Sequence, residues 1–164
     1  MLATAGGAGY APIAPGTAGS AVTLPLFVPL AALGALGFLA SVVLLGVVGI
    51  WAAGVAEEAF GRKDDGRIVI DEVVGQLLTL SPLVLIPGLW PQTASWLLIW
   101  LVTGFVVFRV LDIWKPGPVR RMEQRFAGGA GVMMDDVLAG VIGAVPLGLA
   151  AWIVPPLLAM ERGA

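Results

Sequence analysis

Two runs of about 36 residues each, Ala21 to Ala56 and Val73 to Phe108, carry no formally charged side chain. One bilayer crossing takes roughly 20 predominantly apolar residues, so each run is too long for one crossing and suits two short ones. The whole chain is 59% hydrophobic, above the roughly 45–50% of soluble domains. Residues 1–164 therefore read as a single all-α, compact helical membrane domain with four to five apolar helices.

Gly34 and Gly37 mark a turn inside the first run, giving a helical hairpin of about Ser20 to Leu33 and Leu39 to Ala56. Pro25 and Pro29 fall near the start of its first helix and are expected to kink it. Pro87-Gly88-Leu89-Trp90-Pro91 divides the second run into about Glu72 to Ile86 and Thr93 to Ile113, with Trp90, Trp96 and Trp100 clustered near that turn. A last apolar stretch runs from Val137 to about Met160. The first helix and the Val73 to Ile86 helix are short for a crossing, so the helix count is better determined than the span count.

Two hairpins each return the chain to the side it left. Three polar islands, Gly7 to Ser20, Glu57 to Gln76 and Arg109 to Asp136, are thereby expected on one face. That face carries eight of the nine Lys/Arg residues, which makes it cytoplasmic by the positive-inside bias and puts the Pro87 to Pro91 turn outside. The N-terminus lacks the basic region of a signal peptide, so no cleavage is expected.

Composition removes whole mechanisms. Without cysteine or histidine there is no thiolate nucleophile, no histidine phosphotransfer and neither of the soft zinc ligands. Hard carboxylates favour Mg²⁺ or Mn²⁺. A net charge of −2 offers no footprint for nucleic acid.

Asp71-Glu72 and Asp135-Asp136 each open an apolar run, where anions are favoured by a helix N-terminus. Two such pairs with Asp64 and Asp112 on one face exceed what capping needs. Neighbouring helical side chains point about 100° apart, so one member of each pair is suited to ligate a metal while the other caps or pairs with a cation. Asp71, Glu72, Asp135 and Asp136 form the expected metal group, followed by Asp64 and Asp112. Lys115 lies one turn after Asp112, either as an interfacial ion pair or as a phosphate-binding cation held by its counter-ion. Arg109 either snorkels or assists it. Gly128, Gly129 and Gly131 precede a helix and could offer amides to a phosphate, or simply close a turn. Thr17 and Ser20 could cap a helix or touch substrate, beside glycines that permit close approach. Arg120, Arg121 and Arg125 read as a surface facing solvent or anionic lipid. Gly46 to Gly49 and Gly140 to Gly143 permit close helix packing, within the chain or in a homo-oligomer.

The motifs GAGYAPIAPGTAGS, KDDGRIVIDEVVGQ, FRVLDIWKPGPVRR and GGAGVMMDD, in that order over most of the chain, resemble the phosphatidylglycerophosphatase A family. Asp65 stands where the family pattern calls for proline and is left out of the expected site. The resemblance implies an all-α fold with soluble-looking relatives and a Mg²⁺-dependent phosphatase. It implies removal of the terminal phosphate of phosphatidylglycerophosphate at a bacterial inner membrane. On that reading Asp71, Glu72, Asp135 and Asp136 hold one or two ions that orient a water, while Lys115, Arg109 and the Gly128 to Gly131 amides hold phosphate. An aspartyl-phosphate is the mechanistic competitor.

Two other readings compete. The non-enzymatic reading is a transporter or anionic-lipid-binding protein; against it, the acidic residues sit at segment ends rather than at mid-membrane, where a permeation or proton path would require them. A CDP-alcohol phosphotransferase would need Ala-Arg after Asp-Gly, whereas Asp65-Gly66 is followed by Arg67-Ile68.

Overall fold

A computed structural model describes residues 1–162, with side chains described for 1–121 and 125–154. A 3-10 turn, Ala5–Tyr10, leads into helices α1 (Pro15–Ala31), α2 (Gly34–Phe60), α3 (Ile70–Leu80) and α4 (Pro82–Leu85). Helices α5 (Ala94–Trp114), α6 (Gly117–Arg125) and α7 (Gly129–Arg162) follow, and no strand occurs among the described residues.

Among the described residues, three helices are long and apolar enough to cross a membrane: α2, α5 and the Gly129–Val154 part of α7. At 1.5 Å per residue, α2 is about 40 Å long and α5 about 32 Å, against a hydrocarbon core of about 30 Å. Their exposed faces are apolar, with Leu36, Val43, Val47, Ile99, Val102 and Val106 among the uncovered side chains, as a lipid-facing surface requires. Helix α1, about 26 Å long, and α3, about 17 Å, fall short. Of the four to five apolar helices expected, three are thus candidate spans, and the shorter α1 and α3 pack among them.

Helix α3 is the centre of the bundle. Nine of its eleven residues are buried, so its apolar side chains face protein rather than lipid. Its crossing with α7 is close because both helices present glycine. A Cβ on Gly140 would strike the Gly75 carbonyl oxygen, and one on Gly75 would meet the Phe108 ring and lie 2.7 Å from the Asp136 carbonyl oxygen. Gly143 likewise meets Thr79, and Gly49 meets Met133. The small-residue patterns Gly46 to Gly49 and Gly140 to Gly143 thus contribute to packing within the chain; only Gly46 faces open space.

All three polar islands gather at one end of the bundle. There the Ala3 carbonyl accepts the Val69 and Ile70 N–H groups at 2.8 and 3.2 Å, closing the N-terminus of α3. At the other end Phe27 stacks on Trp90 and meets Phe38 edge-on. The first helix starts earlier than Ser20 because Pro15 is preset for a first helical turn, so Pro25 and Pro29 lie inside α1. Thr93 caps α5 as its position suggests, accepting the Trp96 N–H at 3.2 Å.

Candidate active site

The first turn of α3 carries Asp71 and Glu72. Asp71 is buried, and its Oδ1 accepts the Glu72 N–H at 3.1 Å. The Gly75–Gly140 crossing brings α7 against this turn, and Asp136, one turn before Gly140, comes with it. One oxygen each from Asp71, Glu72 and Asp136 lie within 4.8 Å of one another. Asp112 on α5 also stands close to Asp136.

Two cations border the group. Arg109 Nη1 donates to Asp112 Oδ2 at 2.6 Å and to Ser20 Oγ at 3.4 Å. Lys115 ends α5 in the left-handed region, at φ 43°, and its Nζ donates to Asp135 Oδ2 at 2.6 Å. Asp71, Glu72, Asp112, Asp135 and Asp136 thus face Arg109 and Lys115, an excess of three negative charges.

Gly16 on α1 closes the arrangement. Glu72 Oε1 occupies the space its Cβ would take, and Arg109 Nη1 would be 3.2 Å from that atom. Gly16→Ala is expected to push the Glu72 carboxylate aside and lower turnover about a hundredfold while the bundle still folds. Steady-state activity beside a melting curve in detergent checks this.

The remaining sequence candidates fall in three places. Ser20 is fully buried and donates to the Gly16 carbonyl at 3.0 Å, so it sits inside α1 rather than capping it, with Thr17 half-buried one residue beyond Gly16. Asp64 is exposed on the α2–α3 loop, where its N–H donates to Glu57 Oε1 at 2.8 Å, outside the carboxylate group. Gly128 is exposed, and its carbonyl accepts the Gly131 N–H at 2.7 Å. A Cβ on Gly129 would strike the Ile50 carbonyl oxygen, so this glycine seats α7 against α2.

Helix α7 begins eight residues before the expected Val137. Asp135 and Asp136 are therefore in its second turn, and helix-start capping does not account for them. Asp65 is tied to Arg67, whose guanidinium lies over Phe60, and that pairing lowers its carboxyl to about 2. It is a loop residue, ionised throughout the neutral range.

Sequence reasoning missed Gln76. It is fully buried, one turn beyond Glu72, and hidden in an apolar run that reads simply as helix.

Buried carboxylates this close cannot all stay ionised without a compensating cation or proton. The donors are all hard oxygens, and Glu72 Oε2 and Asp135 Oδ1 are buried with no partner among the described residues. That donor set fits a small divalent cation such as Mg²⁺ or Mn²⁺.

The chain is 38% identical to phosphatidylglycerophosphatase A of Escherichia coli over 145 residues, covering 88% of this chain and 78% of the relative. It is 37% identical to the protein of that name from Haemophilus influenzae over 142 residues, covering 86% and 81%. A Bacteroides thetaiotaomicron protein, whose name proposes a phosphatidylinositol-3-phosphatase, is 39% identical over 159 residues, or 94% of each chain. No solved structure matches. The profile of one family matches residues 1–151, and with these relatives it shows that the chain belongs to the phosphatidylglycerophosphatase A family.

Proposed function

We propose that the protein hydrolyses the terminal phosphate monoester of phosphatidylglycerophosphate, giving phosphatidylglycerol and inorganic phosphate. Asp71, Glu72 and Asp136 would hold Mg²⁺, with Mn²⁺ as a substitute. The observation that carries this reading is the convergence of these carboxylates, beside two cations, at one end of bilayer-length helices. A lipid headgroup lies at that depth, and the eight Lys/Arg residues at this end favour the cytoplasmic face of a bacterial inner membrane.

A bound divalent ion would offset phosphoryl charge and make a coordinated water acidic. The protein's own groups do the rest. Lys115, held by Asp135, and Arg109, held by Asp112, neutralise the non-bridging phosphoryl oxygens as charge builds on them. The carboxylates orient a water opposite the ester oxygen and accept its proton. The water oxygen bonds to phosphorus, and the P–O ester bond breaks with its electron pair leaving on the glycerol oxygen, which takes up a proton. The exposed Arg120, Arg121 and Arg125 on α6 suit contact with anionic headgroups.

The name of the Bacteroides relative motivates a second substrate, a phosphoinositide, whose monoester chemistry is the same. Phosphate release from phosphatidylglycerophosphate and from phosphatidylinositol 3-phosphate in mixed micelles separates the two. We expect at least a tenfold higher kcat/KM for the glycerol lipid. The reverse preference would transfer the function to the inositol lipid, and release from neither would remove the phosphatase reading.

A further inference from the structure

Buried polar side chains near the site mostly satisfy themselves. Ser20, Thr23 and Thr79 each donate to the carbonyl four residues back, at 3.0 to 3.1 Å. Gln76 is the exception: it has no exposed surface, and neither its Oε1 nor its Nε2 has a partner among the described residues. An amide with both ends unmet is a costly occupant of an interior that an apolar residue could fill.

Gln76 follows Glu72 by four residues on α3, which sets the two side chains on one face, one turn apart. Glu72 Oε2 and Arg109 Nε are also buried with no partner among the described residues, and Glu72 Oε1 and Arg109 Nη1 both border Gly16. Glu72 Oε2 and Gln76 Oε1 are acceptors, while Gln76 Nε2 and Arg109 Nε are donors. Two acceptors and two donors are what a buried water, itself with two donors and two acceptors, would satisfy.

We propose that Gln76 and Glu72 share a buried water, which makes Gln76 a positioning residue that fixes the Glu72 carboxylate. Glu72 Oε1 lies against Gly16, and Oε2 is then held through the water. Gln76 then acts on ion binding and turnover, not on capture of the lipid. The proposal rests on the phosphatase reading for its turnover readout and on the carboxylate site alone for its ion-binding readout.

The test uses the full chain in detergent, unmodified and as Gln76→Met and Gln76→Asn. The readouts are Mn²⁺ binding by loss of the free-ion EPR signal, phosphate release and the melting temperature. Met keeps the length of Gln without its polar atoms. We expect Gln76→Met to melt no lower than the unmodified chain, to bind Mn²⁺ about tenfold more weakly and to lose about tenfold in kcat, with KM for lipid unchanged. Gln76→Asn should fall between the two. Unchanged ion affinity in Gln76→Met overturns the proposal, and so does its failure to fold, which would assign the amide a structural hydrogen bond. If the unmodified chain binds Mn²⁺ but releases no phosphate, the phosphatase reading fails and the ion affinities still decide the role of Gln76.

Discussion

Asp136→Asn is expected to lower phosphate release by about a thousandfold or more while the protein melts at the same temperature or higher. The loss follows from replacing one of three carboxylates that converge within 4.8 Å by a neutral amide, a poor ligand for a hard cation. The unchanged or raised stability follows from the same geometry. Asp136 is buried against Asp71, Glu72 and Asp112, so removing its charge relieves repulsion that the ion-free protein otherwise bears. Asp64→Asn, on an exposed loop, is the control and should stay within about twofold in rate. Turnover and thermal melting of the two variants, side by side, check both halves.

Lys115→Met is expected to cost about a hundredfold to a thousandfold in kcat, the scale of losing one charged group at a developing oxyanion. It should also destabilise the fold, because Asp135 is buried and would be left without its 2.6 Å partner. Breaking a fully buried pair costs about 3–5 kcal/mol, and this loss should be smaller because Lys115 remains 28% exposed. The double variant Lys115→Met with Asp135→Asn separates the effects: the melting temperature should recover and the rate should not. Recovery of both would make Lys115 only a counter-ion for Asp135.

Much of this arrangement is written in the charge pattern. Long uncharged runs leave only their ends for carboxylates, and hairpins bring those ends to one side, which is why Asp71, Glu72, Asp135 and Asp136 are expected together; the fold brings one oxygen each of Asp71, Glu72 and Asp136 within 4.8 Å. The about 100° between helical neighbours also anticipates the division at Asp135-Asp136, where one residue joins the cluster and the other pairs with Lys115. At Asp71-Glu72 the same argument is too strict, since both carboxylates enter the cluster from the first turn of α3.

What the pattern hides depends on tertiary contact. Gly128 to Gly131 reads as loop because glycine weakens helices, yet α7 begins at Gly129, where the Ile50 carbonyl leaves no space for a side chain. Gly16 carries no chemistry of its own, and its importance exists only because Glu72 from another helix fills the place of its missing Cβ. Helix α3 is apolar but short for a crossing, and its place as the buried axis of the bundle is set by which neighbours surround it.

Mn²⁺ titration of the purified protein, followed by EPR, tests the carboxylate site most directly. The unmodified chain and Asp64→Asn should deplete the free-ion signal alike, while Asp71→Asn, Glu72→Gln and Asp136→Asn should each lose that binding. Equal binding by all five proteins, or no binding by a chain that still hydrolyses phosphatidylglycerophosphate, would contradict the assignment of Asp71, Glu72 and Asp136 as the metal centre.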